Sequence, residues 1–154
     1  MQIGIGDTVE EFTLPLANGE SVTFASVGDQ IQFLGVMEGY RAREKNKHVM
    51  ELNRSWQKVI QEQLGDSVRY LVVKNFGHIP GMFHGMGKRK LSDEPYPVAI
   101  DTDGVVTGRL LGDAPFRLIG VNPQGIVFTV LAGEPTAPKI ERLLQGAPGE
   151  YSKP

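Results

Sequence analysis

The sequence predicts an α/β domain: a central mixed β-sheet flanked by helices, preceded by an N-terminal β-hairpin. Three observations carry this reading. Residues 31–73 run strand, long amphipathic helix, strand, the pattern of a βαβ crossover. Residues 116–131 form two apolar stretches around Asn122-Pro123-Gln124-Gly125, a strong hairpin signal. A last helical period follows Thr136. A length of 154 residues suits one domain spanning 1–154, large enough to bury a core.

Taken in order, "EFTLPLANGESVTF" opens the chain's structure. Phe12, Leu14 and Leu16 alternate, Asn18-Gly19 supplies a tight turn, and Val22 and Phe24 resume the alternation. Ile31 to Met37 is a dense apolar run, as in a strand covered on both faces. Val49, Leu52, Trp56, Val59 and Ile60 then recur three or four apart, with Glu51, Arg54, Gln57 and Lys58 on the other side. This predicts a helix over roughly 40–64, stopped by Gly65. Val68 to Val73 is a second buried strand. Periodicity vanishes from Asn75 to Pro97, which reads as a long loop with at most one helical turn. Val98 to Ile100 is a short strand entering the turn Asp101-Thr102-Asp103-Gly104. Phe116–Val121 and Ile126–Leu131 are the hairpin strands. Thr136 caps a helix carrying Ile140, Leu143 and Leu144, with Gly146 as its end and 147–154 as a frayed tail.

Composition excludes several function classes. A net charge of −2 gives no field for nucleic acid or anionic lipid, so neither is expected as a partner, although basic residues cluster at 41–47 and 88–90. The longest apolar runs are too short to span a bilayer. No charged segment followed by an apolar one opens the given chain, so no signal peptide is read and the cytoplasm is favoured. The chain holds no cysteine, which removes disulfides, thiolate ligands and thiol catalysis together.

Three stretches carry a family resemblance. "IGDTVEEFTLPLANGESVTF", "YPVAIDTDGVVTGRLLGDAP" and "APFRLIGVNPQGIVFTVLAG" follow one another in the order and spacing of the AhpC/TSA branch of the thioredoxin-like superfamily, which includes peroxiredoxins and TlpA-like proteins. The chain resembles that branch over nearly its whole length. The resemblance implies a thioredoxin-like fold and makes Ala114–Pro115 the candidate cis-proline peptide. It also places the family's redox centre within "FLGVMEGYRAREKN", residues 33–46. Its two cysteine positions fall on Glu38 and Arg41 in one register, or on Tyr40 and Arg43 in the other. Neither register contains sulfur, so a peroxidase or disulfide exchange reaction that needs a thiolate is excluded.

The expectation is therefore a non-catalytic binding module at the former redox site. A helix start keeps unpaired N–H groups and a partial positive charge, and here it also gathers Arg41, Arg43, Lys45 and Lys47. The candidate ligand-binding set is Glu38, Tyr40, Arg41, Arg43, Ala114 and Pro115. The expected ligands are a small anion or, by analogy with the family's substrate edge at Ala114, an extended peptide. A solvated basic face is the competing reading of the same residues. A second candidate site is "HIPGMFHGMG", where His78, Met82, His84 and Met86 offer imidazole and thioether ligands suited to copper. A copper carrier, an enzyme using that loop, and an engineered cysteine-free variant of a thiol enzyme are the alternatives. Asp101, Asp103 and Asp113 suggest a divalent-ion or acid/base site, but Asp101 and Asp103 are better explained by the turn before Gly104. No cofactor is expected, and a protein partner or a homodimer stays open.

Overall fold

The computed structural model describes residues 3–25 and 27–151. Its elements, in chain order, are β1 (Phe12–Pro15), β2 (Ser21–Phe24), β3 (Ile31–Met37), α1 (Arg43–Leu64), β4 (Val68–Asn75), α2 (His84–Leu91), β5 (Val98–Asp101), α3 (Val105–Leu111), β6 (Phe116–Val121), β7 (Val127–Leu131) and α4 (Ala137–Tyr151). Five strands form the central sheet in the order β5-β4-β3-β6-β7, and β1 and β2 form a separate antiparallel pair. The pairs β3–β4 and β4–β5 are parallel, while β3–β6 and β6–β7 are antiparallel. The sheet is mixed, as the sequence predicts.

Each face of the sheet has its own core. On one side, Trp56, Val49 and Ile60 of α1, Leu91 of α2 and Leu143 of α4 pack on Phe33, Met37, Val72 and Phe116. On the other, Leu110 and Leu111 of α3 join Phe12, Leu14 and Phe24 of the hairpin over Leu34, Val36, Val73 and Ile119. The alternation of β3 residues between the two clusters explains its unbroken apolar run.

Several expectations are corrected. The long helix begins at Arg43 and not at 40, because Gly39 to Ala42 stay extended or bent around the end of β4. The stretch 75–97 holds a 3-10 turn at Gly81–Phe83 running into α2, a helix whose interior glycines hide it from a propensity reading. Gly87 is there for space: a Cβ would press on the Phe76 ring. Helix α3 was not anticipated. Its seven residues VVTGRLL are short and glycine-broken, and it is held by Asp101, whose Oδ2 accepts from the Thr107 N–H at 2.7 Å and hydroxyl at 2.6 Å. Helix α4 runs through Gly146 to Tyr151, so glycine does not end it and 147–151 are helical; the remainder of the predicted tail lies outside the described residues.

The Ala114–Pro115 bond is trans, and no cis peptide bond occurs among the described residues. Proline only narrows the trans preference without reversing it. In the trans arrangement the Pro115 carbonyl still accepts the Glu38 N–H at 3.0 Å, extending the β3–β6 ladder.

Candidate functional site

The parallel strands β3 and β4 deliver residues 38–42 and 74–77 to one end of the sheet. Gly39 is packed so closely that a Cβ there would overlap the Asn75 carbonyl oxygen, which locks this loop against the end of β4. Helix α1 then starts without a side-chain cap at Ala42. Around this junction the expected site residues other than Pro115 divide between two clefts that share Tyr40 as a wall.

The first cleft, about 500 Å³, is acidic. Glu38, Asp103 and Asp113 line it together with Asn75, His78 and Ala114. Glu38 and Asp103 are matched by groups of the fold itself. Glu38 Oε1 accepts from Asn75 Nδ2 at 2.9 Å, and its Oε2 lies 3.3 Å from His78 Nε2. Asn75 Oδ1 accepts the Gly77 N–H, and Asp103 Oδ1 accepts the Val105 N–H at the start of α3. Asp103 thus closes a turn onto the first residue of α3, while Asp101 is buried beneath it.

The second cleft, about 560 Å³, is basic. Arg41 and Arg43 stand on its α1 side, Lys90 on its α2 side, and Lys74 and Asn46 line it as well. Phe76, Ile79, Phe83 and Met86 form apolar wall, and the Arg41 guanidinium lies 5.2 Å from the centre of the Phe83 ring, a cation–π contact. Lys74 is only 2% exposed. Its ammonium donates to Asn46 Oδ1 at 2.6 Å and lies 3.4 Å from Met50 Sδ. No carboxylate of the described residues comes within ion-pair distance of it. Burial lowers its pKa to about 8, against a weaker upward pull from Glu94. The group is still mainly a cation at neutral pH. Burial, with the Glu38 charge nearby, raises the Tyr40 phenol, which stays protonated on the shared wall.

Glu38 and Ala114 therefore belong to the acidic cleft, and Arg41 and Arg43 to the basic one. Pro115 lines a third, smaller recess with Tyr40, Glu44, Lys45 and His48. The Lys45 ammonium sits 5.8 Å from the Tyr40 ring centre. Of the copper-ligand candidates, His78 faces Glu38, His84 Nε2 is 2.7 Å from the Ile79 carbonyl, Met82 is 82% exposed and Met86 lines the basic cleft. Among the described residues no three His, Asp or Glu side chains are grouped to hold a metal ion.

Lys74, Asn46 and Lys90 were missed from sequence. A signal for Lys74 was present: in "VRYLVVKNF" the pleat puts Tyr70, Val72, Lys74 and Phe76 on one face, so a lysine occupies a slot between core residues. Such a residue is almost never fully buried without a partner, which makes it a site candidate.

No protein-family model and no curated relative matches the chain. Solved structures do. The exposed lipoprotein thioredoxin Etrx1 of Streptococcus pneumoniae superposes with a TM-score of 0.65 at 15% identity, covering 88% of this chain and 98% of that one. The thiol peroxidase of Chromobacterium violaceum gives 0.65 at 14% identity, covering 97% and 90%. StoA of Bacillus subtilis gives 0.63 at 15% identity, covering 88% and 97%. The chain has the thioredoxin-like fold of thiol–disulfide oxidoreductases and thiol peroxidases. It has that fold without any cysteine.

Proposed function

We propose that the protein is a binding module for a small anion, such as a carboxylate or phosphate group, taken up in the basic cleft between α1 and α2. Lys74 is the floor of this site, Arg41 and Arg43 its α1 rim, and Lys90 its opposite side. One observation carries the reading: a lysine ammonium is buried with an amide oxygen and a thioether as its contacts and no carboxylate beside it. A buried cation costs several kcal/mol to desolvate when uncompensated. An anion entering the cleft supplies the missing countercharge, and the rim arginines offer planar donor forks for its oxygens. Carboxyl ends of parallel strands are a common ligand position in open α/β sheets, and this cleft lies there. The extended-peptide version has less support, since the Pro115 carbonyl is already engaged by Glu38 and the Ala114 N–H lies 3.4 Å from the Leu111 carbonyl.

Titration with inorganic phosphate at millimolar concentration, followed by amide shifts, tests this. Shifts at 40–46 and 74–76 that Lys74→Met abolishes are expected. No response in the wild-type protein, or an equal response in Lys74→Met, overturns the proposal.

A further inference from the structure

We propose that Lys74 is also a nucleophile, condensing with the carbonyl of a small anionic aldehyde or 2-oxo acid to form a protonated imine in the basic cleft. This rests on the anion-site reading and adds covalent chemistry to it.

The geometry divides the two tasks. The Lys74 amine lies deep, on the strand face shared by Val72 and Phe76, while Arg41 and Arg43 are exposed at the α1 side of the same cleft. A short ligand with its carboxylate or phosphate on the guanidinium groups would carry its carbonyl carbon inward. The Asn46 oxygen accepts an N–H from the amine whether the nitrogen is charged or neutral, so it orients the group without demanding a proton. The absence of an adjacent carboxylate matters equally, because an ion pair would hold the amine protonated and unreactive. A lysine desolvated in an apolar setting or set beside other cations is the usual route to a reactive amine. Here Phe76, Ile79 and Leu91 supply the first condition, and Arg54 contributes to the second.

The chemistry balances without any oxidant or reductant. The Lys74 nitrogen lone pair bonds to the carbonyl carbon, and the carbonyl oxygen takes up a proton. That proton comes from the attacking nitrogen, and the resulting carbinolamine hydroxyl takes a second proton from solvent and leaves as water, giving a C=N⁺–H bond at the oxidation level of the starting carbonyl. Water releases the ligand by the reverse path. Anion capture is therefore reversible.

Charged and titratable groups around the amine fix the expected pH behaviour. From the start of α1 they are Tyr40, Arg41 and Arg43, and from α2, Lys90; Glu94 and Arg54 act from further off. All but Tyr40 and Glu94 are cations, and Glu94 is already bound by Arg54 at 2.5 Å. Burial favours the neutral amine, with a smaller push from Arg54, against the pull of Glu94 towards the charged form. Against an exposed lysine, the larger free-amine fraction outweighs the lower basicity, giving roughly tenfold faster imine formation near neutral pH.

The test treats the full chain with glyoxylate and cyanoborohydride at pH 7.5, which converts any imine to a stable carboxymethyl amine. Peptide mapping then gives the rate at every lysine in one sample. Lys74 is expected to label about tenfold faster than exposed Lys47 and Lys58, and excess inorganic phosphate is expected to slow labelling at Lys74 alone. Labelling confined to exposed lysines overturns the proposal, as does phosphate-insensitive labelling of Lys74. The mapping needs no variant and so does not depend on one folding. Lys74→Arg separates the two claims: retained phosphate binding with lost labelling supports both, whereas wild-type phosphate binding with an unlabelled Lys74 sinks only the imine.

Discussion

The two clefts beside Tyr40 are built from the same strand ends yet differ in how their charges are met. In the acidic cleft Glu38 has Asn75 and His78, and Asp103 has the first turn of α3. In the basic cleft Lys74 is far more buried than Glu38, His78 or Asp103 and has only an amide and a sulfur. Carboxylates that accept hydrogen bonds from their own fold are structural by default. A buried ammonium without a countercharge is held at a cost, and such costs gather where a ligand is meant to enter. The difference directs the search for function to the α1–α2 side of Tyr40.

The sharpest way to break this contrast uses pH. Lys74 is a base whose folded pKa, about 8, lies below its ordinary 10.5. The unfolded chain therefore holds more protons between these values, and native stability rises with pH across that window. Below pH 8 the native state bears the full cost of the buried ammonium, of order 3 kcal/mol at most. Lys74→Met removes the charge while keeping an unbranched chain of similar reach. Urea unfolding at pH 7 is expected to find the variant more stable than wild type by up to about 3 kcal/mol. That gap should close as pH approaches 10.5. Parallel stability curves across pH 7 to 10 would mean that Lys74 is solvated or paired in solution.

Next in size is Gly39→Ala. The added methyl would drive into the Asn75 carbonyl, which is backbone and cannot swing aside. A loss of about 1–3 kcal/mol is expected from this overpacking, with displacement of the loop that both clefts share. Thermal melts together with phosphate titration check it. Unchanged stability would show that the loop has room the structure denies.

What the sequence made legible follows from these same residues. The fold was readable because its signals are collective: the apolar run of β3, the period of α1 and the Asn122–Gly125 turn each span several residues and agree with one another. The short helices were not, since α2 and α3 carry interior glycines and depend on the placement of Phe76 and Asp101, which propensity alone does not show. Arg41 and Arg43 were legible as a basic cluster before a helix, but their separation from Glu38 was not. Adjacent positions in a loop turn to opposite sides when the chain folds tightly over a neighbouring strand, as Gly39 does over Asn75. Lys74 was missed for a different reason: with the strand read as ending at Val73 and the loop as starting at Asn75, it fell between elements, where a lysine excites no question.

A smaller effect belongs to Arg41→Gln. Arg41 is exposed and spends part of its interaction on the Phe83 ring. Its loss should weaken phosphate binding about three- to tenfold, consistent with about 1 kcal/mol for an exposed charge contact, and leave the melting temperature nearly unchanged. The weakening should shrink as salt rises, because the rim is screened while the Lys74 floor is not. Salt-independent weakening would contradict the division into rim and floor.

The smallest expected effect comes from the other cleft and sharpens the comparison from its matched side. Glu38→Gln keeps an oxygen that Asn75 Nδ2 can donate to and cancels only the charge facing His78. His78 is 70% exposed, and a pair open to water to that degree contributes little. Stability should move by no more than about 0.5 kcal/mol. Phosphate affinity should hold or rise slightly, since a negative charge next to the shared Tyr40 wall has gone. If Glu38→Gln instead abolishes phosphate binding, Glu38 is part of what holds the anion, and the two clefts act as one site.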